Sequence, residues 1–197
     1  MQSQYLFIIL AFVSFLSNSL SAAVHFTLRG SANRNNLGLN HQEERSASGS
    51  VAVDLGSHLR LGITHQQGYV GLQGYQYNRT ANAYYYVQEK THTIANSLDL
   101  TVILYYGDIF VPFVQVGVIK KRYLITYSTE GSSQSVSKSY ALPPVPNTGV
   151  GLGIRLNTNF SLNITYTVSP GIRQARPDQR PQSVLDSYLS LGLSYQI

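Results

Sequence analysis

Charge is scarce in this chain of 197 residues, with 14 Lys or Arg against 9 Asp or Glu, so each charged position invites a specific question. Asp54 and Arg60 flank Gly56-Ser57, a spacing that sets opposite charges face to face across a tight turn. Arg29, Asp99, Arg155 and Asp186 stand alone in stretches otherwise free of charge. Lys120, Lys121 and Arg122 form one cationic cluster; Arg173, Arg176 and Arg180 form a second. Both suit phosphate groups, which Arg grips bidentately and Lys meets as a point charge. The histidines His25, His41, His58, His65 and His92 show no HxxxH or HExxH spacing. With no cysteine there is no thiolate nucleophile, disulfide frame or Cys-ligated zinc. No GxSxG elbow occurs, and Gly149-Val150-Gly151-Leu152-Gly153 lacks the dinucleotide and Walker spacings. The expectation is no enzyme, no cofactor and no metal. A lipid-modifying activity would have to draw on His65 and His92, which flank a polar, tyrosine-rich stretch without any accompanying motif.

The elements that carry these residues come from two patterns. The first is an apolar run over 5–16, too short for the roughly 20 residues of a membrane-spanning helix. It suits the apolar region of an export signal, although the residues before it carry no Lys or Arg. Ser21-Ala22-Ala23 supplies the small residues of a cleavage site. The expected organisation is a signal peptide over 1–23 and one domain over 24–197.

The second pattern is period-two alternation, the signature of strands. It recurs over 24–28, 51–55, 59–63, 98–104, 114–118, 150–156, 160–168 and 189–197. Gly56-Ser57, Tyr106-Gly107-Asp108 and Asn157-Thr158-Asn159 supply tight turns between alternate pairs. The remaining connections, 31–48, 66–91, 122–146 and 169–183, are long. Eight antiparallel strands with short turns at one end and long loops at the other describe an up-and-down β-barrel inserted in a bacterial outer membrane. A soluble barrel packs its apolar face inside; a membrane barrel inverts this. The polar-facing set contains Gly62, Gly117, Gly149, Gly151, Gly153 and Gly192, which fit a crowded interior and poorly suit a wet surface. This favours the membrane barrel. It also explains why 12% charged residues coexist with a mean hydropathy of −0.07: Val and Leu are averaged against Ser, Thr, Gly and Asn.

The final segment, with Ser190, Gly192, Tyr195 and Ile197, resembles the C-terminal assembly signal of outer-membrane proteins, except that the family usually ends in Phe. Val111-Pro112-Phe113-Val114-Gln115-Val116-Gly117-Val118 resembles a Pro-aromatic-Val-x-x-Gly strand of the same proteins. The domain as a whole resembles the small eight-stranded barrels of the OmpA transmembrane-domain, OmpX/Ail and OmpW groups. The resemblance implies folding by the barrel-assembly machinery. It fixes no single activity, because such barrels serve as anchors, adhesins, narrow pores and lipid-modifying enzymes.

Parity assigns Arg29, Arg60 and Arg155 to the lumen with Asp54, Asp99 and Asp186, a set that sums to zero. With Ser50, Thr64, Ser97, Thr101, Gln115, Asn163 and Thr165 they are expected to form a hydrogen-bonded plug. With Asp108 in a short turn, the chain's net charge of +5 then leaves +6 for the outer region, where the two cationic clusters would meet lipopolysaccharide. The same clusters also fit a solvated surface with no partner. An exported protein with no nucleic-acid motif is not expected to bind nucleic acid. Tyr105, Tyr106, Phe110, Phe160 and Tyr195 gather at the short-turn end as an aromatic girdle. Tyr69, Tyr75, Tyr77, Tyr84, Tyr85 and Tyr86 crowd the second long connection, either as a loop for an extracellular protein partner or as strand extensions. The expected function is that of an envelope structural or surface-interaction protein, with a narrow pore as the alternative.

Overall fold

The computed structural model describes residues 23–37, 40–78, 82–129, 135–173 and 180–197. The expected export signal, Ala23 apart, lies outside the described residues. The strands in chain order are β1 (Val24–Leu37), β2 (Asn40–Asp54), β3 (Leu59–Asn78), β4 (Ala83–Ile103), β5 (Phe110–Thr129), β6 (Ser135–Ala141), β7 (Val145–Arg155), β8 (Phe160–Arg173) and β9 (Gln182–Gln196). All pairings are antiparallel, and β1 pairs with β9 through Phe26↔Tyr195 and Arg29↔Gly192, which closes the sheet into a ring.

The ring has eight positions although nine strands are formed, because β6 and β7 share one. The lower part of β5 pairs with β7, from Phe110↔Ile154 to Ile119↔Val145. Its upper part pairs with β6, from Arg122↔Ala141 to Ser128↔Ser135. Leu142, Pro143 and Pro144 join the two and contain one residue more than the facing stretch of β5, which makes a bulge. Proline has no N–H to give a ladder, so the interruption falls where the sequence cannot pair. Leu142 still donates its N–H to the Lys121 carbonyl at 2.9 Å. The extra residue reverses parity, so odd positions of β7 face inward while Lys138 and Tyr140 of β6 sit opposite inward residues of β5.

Much of the four long connections is strand rather than loop, and this corrects the sequence expectation. β3 and β4 remain paired from Leu59↔Val102 up to Asn78↔Ala83. β1 and β2 likewise pair up to Leu37↔Asn40. Beyond the apolar band no face has to be apolar, so alternation fades while the backbone still satisfies its N–H and C=O groups in the ladder.

Apolar side chains point out. Leu28, Ile63, Leu98, Val118, Val150, Leu189 and Leu191 are all exposed, and Thr27, Ser97, Asp99, Gln115, Thr165 and Ser194 are buried inside. Such an apolar outer surface far exceeds what a water-soluble monomer shows, and its inversion is that of a transmembrane barrel. The short turns 55–58, 104–109 and 156–159 lie together at one end. In the last of them Asn157 Oδ1 accepts from the N–H groups of Asn159 (2.9 Å) and Phe160 (2.7 Å), a side-chain turn that fixes the hairpin.

Candidate functional site: the charged lumen and the outward cationic rim

The inward face carries its charges in three layers. At the short-turn end, Asp54 and Arg60 are directly opposite each other on β2 and β3, and Arg60 Nε donates to Asp54 Oδ1 at 2.8 Å. Buried His25 of β1 takes the other carboxylate oxygen through Nε2 at 2.9 Å, a partner that sequence spacing did not reveal. Arg155 sits at the rim of this layer with its guanidinium 5.4 Å from the Tyr106 ring. Tyr106 therefore leans over the mouth instead of joining the outward girdle with Phe160 and Tyr195, whose rings stack at 4.8 Å. Burial pushes the Tyr106 phenol above its ordinary range; Asp54 adds to this, and Arg60 and Arg155 oppose it.

In the middle layer Asp99 is 3% exposed, which is tenable for a carboxylate only with several donors. It accepts from Thr64 (3.2 Å), Ser97 (2.5 Å) and Asn147 (2.9 Å). Arg29 is the cation whose field acts on this layer, yet its buried Nε has no hydrogen-bond partner among the described residues.

The outer layer overturns one expectation. Lys121 is not a surface phosphate ligand: it is 1% exposed and donates Nζ to Asp186 Oδ2 at 2.8 Å. The reason is parity. β5 continues straight through the cationic cluster, so Lys120 and Arg122 point outward and Lys121 points in. Tyr123 adds a hydrogen bond to the same oxygen at 3.1 Å. Above it Tyr123, Ile125 and Tyr127 pack with Tyr140, Leu142 and Ile172. Glu44 and Glu89 line a small cavity there with Asp186, so the lumen is not the balanced set of six charges that parity over eight short strands gave. Burial pushes the Tyr127 phenol upward, reinforced by Glu89 and Tyr140.

Glycines make room for three of these charges. A Cβ on Gly117 would lie 2.4 Å from Asp99 Oδ1, on Gly171 2.0 Å from Asp186 Oδ2, and on Gly192 2.5 Å from Arg29 Cγ. The charged chains lie across the neighbouring strand where that strand has no side chain. Interior glycine was legible in the sequence; its one-to-one match with a charge required the register.

The outward face carries a different set. Lys120 and Arg122 of β5 are exposed just above Val116 and Val118. Asn96 stands opposite Lys120, and exposed Ile94 stands opposite Arg122. Lys90, Arg45 and Arg34 continue this rim on β4, β2 and β1, with Arg45 paired to Glu43 on its own strand. Of the second cluster, Arg180 is exposed, Arg173 ends β8 opposite Gln182, and Arg176 lies outside the described residues. His65 and His92 also face outward, His65 bonded to Asn96 at 2.8 Å and His92 edge-on to Tyr69 at 5.1 Å. The tyrosines form part of the β3–β4 hairpin, where the Tyr75 and Tyr86 rings meet at 5.3 Å and Tyr84 is exposed. The side chains of Tyr77 and Tyr85 lie outside the described set. In β9, Ser190 and Gly192 face the lumen and Tyr195 is exposed on the outer surface; Ile197, just past the strand, is exposed too.

No family model matches the sequence, and no curated protein matches it. Among solved structures, a major outer membrane protein from Thermus thermophilus is similar at 14% identity, over 89% of this chain and 99% of that one, with a TM-score of 0.52. The N-terminal β-barrel domain of OprF from Pseudomonas aeruginosa is similar at 15% identity, over 89% and 97%, with a TM-score of 0.50. At such identities the likeness is one of fold, and the fold is that of the small outer-membrane β-barrels.

Proposed function

We propose that this protein is a non-enzymatic barrel of the bacterial outer membrane, an envelope structural and surface-interaction protein that holds lipopolysaccharide phosphates on its outward rim. The observation that carries this reading is the position of Lys120 and Arg122. On β5 the outward apolar face runs from Phe110 to Val118, close to the 9–11 residues a tilted strand needs to cross the hydrocarbon core. The two cations come next, both outward, at the level of the headgroups. Exposed Val118, two residues below Lys120 on the same face, supplies apolar contact for the base of a lipid. Lys90, Arg45 and Arg34 extend the positive rim. Phosphate oxygens bind well to such charge-assisted donors.

Two finer assignments rest on the same face. The β3–β4 hairpin, rich in tyrosine, offers an adaptable surface to an extracellular protein. The outward Tyr195 and inward Ser190 and Gly192 of the closing strand β9, with Ile197 just past it, suit a segment read by the barrel-assembly machinery.

The test is purification in detergent and titration with lipopolysaccharide, followed by native mass spectrometry. Replacing both Lys120 and Arg122 with Ser is expected to weaken retention by about tenfold or more, the worth of one or two charged hydrogen bonds. Equal retention by the variant would remove this role. Planar-bilayer recording with and without lipopolysaccharide tests the narrow-pore alternative: stable single-channel steps in the parent would sink the filled-lumen reading. A sharp rise in conductance on Asp54→Ala with Arg60→Ala would likewise put a gated pore in place of the plug.

A further inference from the structure

Below the Arg29–Asp99 layer lies a cavity of about 220 Å³, reaching from Arg29 and Gln115 down to Tyr106 and the turn residues Asn157 and Asn159. Its floor is closed by the middle layer, and its mouth opens at the short-turn end. We propose that this vestibule is a binding site for a small monovalent oxyanion, a carboxylate or a phosphate.

Three features argue for it. First, the lining holds three guanidiniums, Arg29, Arg60 and Arg155, against two carboxylates, Asp54 and Asp99. The lining thus carries one positive charge in excess, with Arg155 exposed at its mouth. Secondly, the carboxylates are already taken. Asp54 is held by His25 and Arg60, and Asp99 by Thr64, Ser97 and Asn147. Arg29 joins no ion pair among the described residues, and its buried Nε has no acceptor. Thirdly, Gln115 is 4% exposed on the same floor, and its Oε1 is likewise unpartnered. Its amide offers two N–H donors when turned about, and Gln and Asn amides are turned readily to suit a ligand.

Water can satisfy a single N–H, but it does not compensate a charge. An oxyanion gives acceptors to Arg29 Nε and the Gln115 amide and brings a negative charge to a lining with three guanidiniums. The volume holds far more than one water, so an ion of a few heavy atoms fits with part of its hydration. Arg155, exposed at the rim over Tyr106, supplies a first encounter with the anion at the mouth. On the reading proposed above that mouth faces the periplasm; the binding chemistry itself does not depend on it.

The test uses the whole barrel, purified and folded in detergent, titrated with sodium phosphate, sodium acetate or sodium chloride at matched ionic strength. The readouts are the Arg29 Nε–H resonance and the Tyr106 ring resonances. A saturable shift with phosphate or acetate beyond that with chloride supports the site; phosphate alone assigns a tetrahedral oxyanion, and acetate alone a carboxylate. Arg29→Gln is expected to weaken the effect at Tyr106 by about tenfold or more. Because Arg29 is built into the wall, Arg155→Gln at the rim is the second variant, with folding checked by heat-modifiable migration, and it too is expected to weaken binding. If chloride acts as strongly as either oxyanion, or if folded Arg155→Gln titrates like the parent, the proposal is overturned.

Discussion

Replacing Lys121 with Met keeps the aliphatic stem that fills the wall and removes the charge. Asp186 then retains one hydrogen bond, from Tyr123, with its side chain only 11% exposed. Breaking a buried pair by removing one partner typically costs about 3–5 kcal/mol. Here the lower end applies, because Asp186 borders a cavity near the outer mouth and regains some hydration. The expected loss for Lys121→Met is therefore about 3 kcal/mol, with a similar loss for Lys121→Ala. Asp186→Leu, which strands the cation in a site where Lys121 is 1% exposed, is expected to cost at least as much. The double variant Lys121→Met with Asp186→Leu replaces an ion pair by apolar contact and is expected within about 1 kcal/mol of the parent, or above it. Equilibrium urea unfolding in lipid vesicles, followed by heat-modifiable gel migration, gives all four stabilities. A coupling energy of about 5 kcal/mol or more closes the cycle. If the single variants stay within about 0.5 kcal/mol of the parent, or if the double variant loses the sum of the two, the buried pair is not what holds the outer part of the barrel together.

Further outcomes follow from the same register. Gly192→Ala and Gly171→Ala would place a Cβ 2.5 Å from Arg29 Cγ and 2.0 Å from Asp186 Oδ2, and each is expected to cost about 1–3 kcal/mol in the same urea assay. Gly30→Ala, whose Cβ meets nothing nearer than 3.8 Å, is the control, and equal losses at all three would discredit the steric account. Leu191→Arg puts a cation on the lipid face near mid-strand of β9 and is expected to lower stability by about 2–4 kcal/mol in vesicles, whereas Ser190→Ala, on the lumen side, changes little. Deleting Pro144 removes the surplus residue of the bulge, so β6 and β7 can run on as one strand with their present partners on β5, Ser139 still outward. Since the protein has no cysteine, Ser139→Cys reports this directly: a polar thiol reagent is expected to label the deleted and undeleted chains at the same rate, and sharp slowing on deletion would refute the bulge.

The lower half of the barrel is written in the sequence because the membrane enforces a rule there. Each outward position must be apolar, so Leu189, Leu191 and Leu193 alternate with Ser190, Gly192 and Ser194, and the turn residues punctuate the runs. Above the band that rule lapses. Residues such as His65, Gln67 and Tyr69 sit on the outer face of β3 as acceptably as any others, so neither strand nor loop is favoured by pattern, and only the cross-strand pairing reveals the hairpin. The same loss of pattern hid β6. Val136, Lys138 and Tyr140 carry no alternation to announce a strand, and Pro143-Pro144 reads as a break without disclosing that the ladder resumes beyond it.

This boundary also governs the functional residues. Where parity is legible, the inward assignment of Arg29, Asp54, Arg60 and Asp99 needs only strand counting. Lys120, Lys121 and Arg122 lie where the pattern ends, and a cluster read as a unit separates, in a strand, into two outward cations and one inward cation. The separation has a physical consequence. Lys121 is consumed by Asp186, so its charge binds the wall together, whereas Lys120 and Arg122 keep theirs for the headgroup region. A strand that runs unbroken through a basic triplet thus divides it between stability and recognition. Shifting β5 by one residue would exchange the roles, taking Lys121 from Asp186 and burying two cations where the wall is packed around one. That arrangement is penalised by several kcal/mol, so the Lys121–Asp186 pair also fixes the register that presents the rim.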